Sequence, residues 1–272
     1  MTVLRNLDPE QDFSTDHYRE IVATIRQSHQ TLSFGEVHAL GAALMEIPKF
    51  VIMRHDVEFS VPAAVRLAEI DAAEGVRSTF FLLQTSDYNP FEEEEAHGIR
   101  RILDLGHDIG LHYDAALLER LDVDVDRVLK AQIALFEAFF DTTVFAMSSH
   151  MPMRSGRTFA VPGVIDVYDP RFMVDIKYLS DSTQQWREGV VTASLSRHAR
   201  IHLLTHEYIW HPFGWHWSAL LFAEANDKFQ RTWRRAEASI ELFSEGLQLR
   251  PQKDAEFMKR YEDSRWPSSS KD

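Results

Sequence analysis

Short apolar runs separated by helix-length stretches restrict what this chain can fold into more than any other feature. The runs are Phe50 to Met53, Thr79 to Leu83, Ile109 to Leu111, Val144 to Met147, Val190 to Leu195 and Ile201 to Leu204. Each is brief, rich in β-branched or aromatic residues and flanked by polar ones, as buried parallel strands are. From Val61 to Glu74, Ala64, Leu67, Ala68 and Ile70 recur at helical spacing before Gly75, a helix stop. Similar patterns predict helices over Tyr18 to Ser28, Ala96 to Asp104, Val125 to Phe140 and Ser218 to Leu247. Alternation of this kind builds a parallel sheet or barrel, whose ligand sites lie beyond the carboxyl ends of the strands. At 272 residues the chain matches one α/β barrel of about 250 residues. No repeat or linker interrupts it before about Arg250, so we expect one barrel domain over 1–250 and a polar, mobile tail over 251–272.

Composition removes several function classes. With 29 basic against 42 acidic residues the formal charge is −13, and no basic patch offsets it, which argues against a nucleic-acid partner. The absence of cysteine excludes disulfides, thiolate metal sites and thiol nucleophiles. No stretch is apolar enough to span a membrane, and Met1 to Ser14 carries Asp and Glu where a signal peptide needs an apolar segment; we expect a cytoplasmic protein. The Gly-x-Ser-x-Gly elbow and the phosphate-binding glycine fingerprints are missing. His206 and His211 are five residues apart, about 140° on a helix, so they do not form the paired grip of a zinc protease.

Four apolar runs end in histidine, with or without a carboxylate. Arg54-His55-Asp56-Val57-Glu58 follows the first, His112-Tyr113-Asp114 the third, Ser148-Ser149-His150 the fourth and Thr205-His206-Glu207 the last. If the runs are strands of one sheet, these ends converge on one rim. Any single histidine here could be a hydrogen-bonded structural residue. Recurrence at four ends points instead to a site, because His and Asp are costly to bury unpaired. Imidazole and carboxylate without thiolate are ligands for zinc or another divalent metal.

In this order the segments resemble the polysaccharide deacetylase family, also called the NodB-homology or carbohydrate esterase family 4 group. They are most similar to a divergent branch whose first motif reads His-Asp-Val-Asp and which is associated with bacterial surface polysaccharides such as O-antigen or capsule. Arg54 to Glu58 stands for the first motif, Gly106 to His112 for the second, Ser148 to Pro152 for the third, Tyr178 to Ser182 with Trp186-Arg187 for the fourth, and Leu203 to His206 for the fifth. The resemblance implies a distorted, seven-stranded (β/α) barrel, here followed by a long C-terminal helix. It implies a metal-dependent hydrolase, most simply a zinc enzyme, that deacylates an amino sugar linked to a nucleotide or lipid. It further implies Asp56 as the general base, His206 as the proton donor oriented by Asp181, and Glu58 and His112 as metal ligands.

Two departures accompany it. The second metal histidine expected four residues after His112 is replaced by Ala116, and we assign its role to His150; Glu58 stands where the branch has aspartate. These changes leave open a catalytically inactive carbohydrate-binding protein of the same fold, and amide hydrolysis of a small non-sugar metabolite is a third reading. Asp56 or Glu58 could instead cap a helix near Ser60, and Asp181 could be an N-cap. His55 and His107 read as structural. The aromatic run Tyr208, Trp210, Phe213, Trp215 and Trp217 suits sugar rings or an acyl chain, or packing over the rim. Arg154, just past the third motif, and Trp210 are the substrate-binding candidates. The oligomeric state is open.

Overall fold

The computed structural model describes residues 12–265. Among the described residues eight strands form one sheet, in which every pairing is parallel. They are β1 Gln30–Leu32, β2 Phe50–Val57, β3 Thr79–Leu83, β4 Asp108–Tyr113, β5 Ala146–Ser149, β6 Ile165–Asp166, β7 Lys177–Ser180 and β8 Arg200–His206. Seven follow the order β6-β5-β4-β3-β2-β8-β7, so β6 and β7 are unjoined edges and the barrel wall is open between them. β1 lies beside Phe50 to Ile52 at the start of β2, before β3 begins to pair at Arg54.

The connections carry α1 Thr15–Ser28, α2 Phe34–Leu40, α3 Val61–Ala73, α4 Glu93–Asp104, α5 Ala115–Arg120, α6 Val125–Phe140, α7 Pro170–Met173, α8 Val191–Leu195 and α9 Trp217–Arg265. Local chemistry fixes where helices start. The side chains of Ser14, Ser60, Asp114 and Asp124 each accept a first-turn amide, and Ser33 with Glu36 forms a reciprocal capping box. Strand alternation then sorts the core. Val51, Met53, Phe80, Leu82, Ile109 and Leu111 join residues of α1, α3, α4 and α6 in one apolar cluster. Phe50, Ile52, Phe81 and Ala146 join Phe34, Phe172 and Ile176 in a second. The odd and even positions of β2 thus fall into different clusters, as a period of two requires.

The structure has the expected parallel α/β architecture and the long C-terminal helix. It corrects one strand. Val190 to Leu195 contains helix α8, because its buried positions Val191, Ser194 and Leu195 recur at three and four residues, a helical period in a run too short to decide from sequence. The short strands β1, β6 and β7 lie outside the apolar runs. α9 continues to Arg265, past the boundary at residue 250; the segment Gln252-Lys253-Asp254-Ala255-Glu256 consists mostly of good helix formers. The remaining tail residues 266–272, like the N-terminal residues 1–11, lie outside the described residues. The chain divides into two compact units, 1–221 and 222–272, and the described part of the second is the remainder of α9. No helix among the described residues is long and apolar enough to cross a membrane.

Candidate active site

His55, His112 and His206 lie within the last three residues of their strands, and His150 follows β5. β2 runs through Arg54, His55 and Asp56, β4 includes His112 and β8 ends on His206. Asp56 and His206 are register partners in adjacent parallel strands, so they emerge side by side on one face. His55 and Thr205, also partners, point the opposite way and bond each other, Nδ1 to Oγ1 2.6 Å. His55 Nε2 lies 2.9 Å from Asp71 Oδ2, and the ring stacks on Phe80 at 4.3 Å. His107 sits between the Ala68 carbonyl, 2.9 Å from Nε2, and the Ser78 amide, which donates to Nδ1. These two histidines tie strands to the outer helices.

On the inner face Glu58, His112 and His150 meet. Glu58 Oε1 lies 2.8 Å from His150 Nδ1 and 3.4 Å from His112 Nε2, while Asp56 Oδ2 lies 3.6 Å from the same His112 nitrogen. The opposite ring nitrogen, His112 Nδ1, is 3.0 Å from the Ser148 carbonyl and can only donate to it. That leaves Nε2 facing two carboxylate oxygens, so a proton or a metal cation must sit among them. Ligand atoms of Glu58, His112 and His150 all lie within 4.8 Å of one another, as do those of Asp56, Glu58 and His206. A histidine that donates its second N–H to a backbone carbonyl is the usual arrangement of a metal ligand. The cluster can therefore hold a divalent ion. Ala116, which stands in place of a second histidine, is buried in α5, and the ring of His150 lies 5.2 Å from that of His112.

Two charged partners flank this centre. Arg54, fully buried, grips Asp56 with two bonds, Nε to Oδ1 at 2.8 Å and Nη2 to Oδ2 at 2.7 Å. Its Nη2 also donates to Ser148 Oγ and, at 3.2 Å, to the Tyr168 hydroxyl. Burial alone would raise the Asp56 carboxyl, but Arg54, with His112 and His206, holds it below its ordinary value. Burial likewise acts upward on Glu58, and hydrogen bonds from His112 and His150 outweigh it and hold that carboxyl well below its usual range. On the other flank Asp181 accepts from the His206 amide at 3.0 Å and from His206 Nδ1 at 2.6 Å. Burial disfavours the imidazolium of His206, yet Asp181 outweighs it and raises the pKa to about 10. Asp181 makes no side-chain cap to the turn that follows it.

Of the two substrate-binding candidates, Arg154 is exposed on the wall of the cavity that contains Asp56, Glu58 and His206, 3.9 Å from Asp114. Trp210 requires a correction. It is 1% exposed, packs on Phe13 and Tyr18 at ring distances of 5.1 Å, and donates its indole N–H to Asp181 Oδ2 at 2.8 Å. It supports the Asp181–His206 pair from behind and has no face to offer a sugar. A buried indole needs a partner for its N–H, and Asp181 is that partner. Tyr208 is the member of the aromatic run that lines the cavity.

Arg54 and Glu207 stand in the strand-end segments without an assigned role. Glu207 is fully buried and accepts the amides of Glu58, Phe59 and Ser60 at 2.6 to 3.1 Å, fixing the turn that presents Glu58. Burial and the charge of Glu58 push its pKa up to about 7 against the pull of those amides. Its position directly after His206 was the available signal. For Arg54 the signal was its spacing of two from Asp56 within a strand.

No known family model and no curated protein matches the chain. Among solved structures it is similar to a chitin deacetylase from the fungal pathogen Colletotrichum lindemuthianum, at 17% identity and a TM-score of 0.40 over 65% of this chain and 81% of that one. It is also similar to a Streptococcus mutans CE4 esterase, at 15% identity and a TM-score of 0.37 over 76% and 89%. A third is the peptidoglycan deacetylase PdaC from Bacillus subtilis, at 15% identity and a TM-score of 0.32 over 70% and 97%. What the site can do is set by its own geometry.

Proposed function

We propose that the protein is a metal-dependent hydrolase that removes the acyl group from an N-acylated amino sugar. The observation that carries this reading is the meeting of His112 Nε2 with two carboxylates, between a base held ionised by Arg54 and an acid held charged by Asp181. Glu58, His112 and His150 would hold the metal, and two imidazoles with one carboxylate are a ligand set of catalytic zinc that leaves a position open. When bound, such an ion polarises an acyl carbonyl and lowers the pKa of a water from 15.7 to about 7.

The chain's own groups do the rest. Asp56, ionised and clamped by Arg54, takes a proton from the attacking water as its oxygen bonds to the acyl carbon. His206 donates a proton to the amide nitrogen as the carbon–nitrogen bond breaks, so the sugar leaves as a neutral amine. Asp181 keeps that imidazole charged beforehand and its Nε2 turned away from the carboxylate it bonds through Nδ1. We place the reaction in the cytoplasm, on a nucleotide- or lipid-linked precursor of a bacterial surface polysaccharide; the first-motif resemblance supports that setting.

Asp56→Asn tests the proposal. A base of this kind contributes roughly 10²- to 10⁴-fold, so we expect turnover of N-acyl amino sugars to fall by that much with metal content unchanged. Unchanged turnover would remove Asp56 from the mechanism.

A further inference from the structure

We propose that the open seam between β6 and β7 receives the substrate's acyl chain, and that this chain is longer than acetyl; the proposal rests on the deacylase reading above. A cavity of about 660 Å³ has Asp56, Glu58 and His206 in its wall. The same wall includes Tyr168 and Met173, from the connection between β6 and β7, and Tyr178 and Leu179 of β7. The cavity thus reaches from the reacting groups to the edge strand β7 and to the connection that bridges the gap between β6 and β7. Met151 and Met153, from the turn after His150, also line it, and are 55% and 93% exposed.

Met151 has φ 45° and ψ 60°, a left-handed conformation uncommon outside glycine, directly before Pro152, which disfavours the right-handed alternative. His150, one residue before this strained turn, lies against Glu58, and Met151 within it lines the cavity. Thioether side chains are flexible and polarisable, and suit an alkyl chain of variable shape. Met173 and Leu179 extend the apolar part of this wall, which gives an alkyl chain contacts and a sugar hydroxyl no partner.

The test is kcat/KM of the zinc-supplied protein on N-acyl glucosamines from acetyl to decanoyl. We expect a rise of about fourfold for each methylene buried, until the seam is filled. Met173→Trp should lower the ratio of octanoyl to acetyl kcat/KM at least tenfold. A flat or falling profile with chain length would overturn the proposal. If no member is hydrolysed, the deacylase reading fails, and calorimetric binding of the octanoyl and acetyl compounds decides the seam separately: tighter octanoyl binding upholds it, equal binding overturns it.

A different observation carries a second inference. On α9, Phe222, Asn226, Phe229, Trp233, Ala236, Ile240 and Phe243 alternate by four and three residues, the 3.5-residue period of a coiled coil. Phe222 is 78% exposed, Phe229 60%, Trp233 56%, Ile240 65% and Phe243 71%. The described part of the unit 222–272 is one helix, so none of its described elements covers the stripe. The geometry points to a second copy of this chain, its α9 parallel and in register.

Two copies bring eight aromatic rings together, on the order of 1,000 Å², close to the roughly 1,200 Å² at which stable interfaces begin. Asn226 decides the direction. In register it meets its own copy and the two amides bond each other, whereas an antiparallel pair would leave each against an apolar side chain. The flanking pairs across a parallel seam, Ala225 with Gln230, Thr232 with Glu237 and Ser239 with Ser244, contain no like charges.

Light scattering on the full chain should give twice the 31.5 kDa chain mass, and the double variant Phe229→Glu, Trp233→Glu should give one. Because the chain has no cysteine, Ile240→Cys introduces the sole thiol, and mild oxidation should link the copies. A wild-type monomer at about 100 μM, including one that binds anionic vesicles, would overturn the inference. A dimer that Ile240→Cys does not cross-link would overturn the parallel register.

Discussion

Arg54 and Asp56 stand two apart on β2, so the strand itself delivers the guanidinium to the carboxylate. Removing one member of a buried pair leaves the other uncompensated, at a cost of about 3–5 kcal/mol. For Arg54→Met we expect at least a hundredfold loss of turnover. Since Arg54 holds the Asp56 carboxyl down, its loss raises that pKa, and the acid limb of the pH–rate profile should move to higher pH; a limb that stays put contradicts the assignment. His206 gives the opposite sign. Its folded pKa of about 10 lies above the ordinary 6.5, so the stability it contributes is full below about pH 6.5 and is lost as pH rises through 10. Thermal midpoints of the wild type should fall across that window and those of Asp181→Asn should fall less. At this scale the metal-type residues were legible because each stands at the end of an apolar run. Arg54 was not, because the apolar run ends at Met53, and nothing in it marks the polar residues that follow as a continuation of β2. Trp210 was misplaced because an aromatic run in sequence does not say which ring is covered.

The turn after β2 shows how one element positions a proposed ligand carried by another. Glu207, at the end of β8, uses both carboxylate oxygens on the amides of residues 58 to 60. Glu207→Gln replaces one acceptor with a donor facing those amides. We expect metal affinity to drop about 10- to 100-fold, the range for lost outer support of a metal ligand, with secondary structure retained by circular dichroism. Gly110 on β4 is constrained by packing: a Cβ there would stand 2.5 Å from atoms of the Phe81 ring, whose face carries Arg54 at 5.4 Å. Gly110→Ala should destabilise by about 1–3 kcal/mol in denaturant titration, and an unchanged midpoint would contradict this packing. Helices with clear caps and period were legible, α6 to the residue. Short edge strands were not, since two to four residues carry no usable period, and α8 shows the converse, an apolar run whose burial is helical.

Across the whole molecule, a parallel sheet brings segments some 150 residues apart onto one rim, and a metal bound there would link the turn after β2, β4 and the turn after β5 in the folded state alone. Ion at a hundred times its dissociation constant would add about 2.7 kcal/mol, so chelation should lower the melting temperature by about 5–10 °C. The order of the motifs made this convergence legible before any geometry, whereas the open seam and the second unit depend on strand order and helix length, which local sequence does not report. Metal content of the purified protein by elemental analysis, with His112→Ala and His150→Ala alongside, tests the centre most directly. We expect about one equivalent of zinc or a similar divalent metal in the wild type and its loss in both variants. A wild type that takes up no metal at neutral pH would contradict the site and the chemistry built on it.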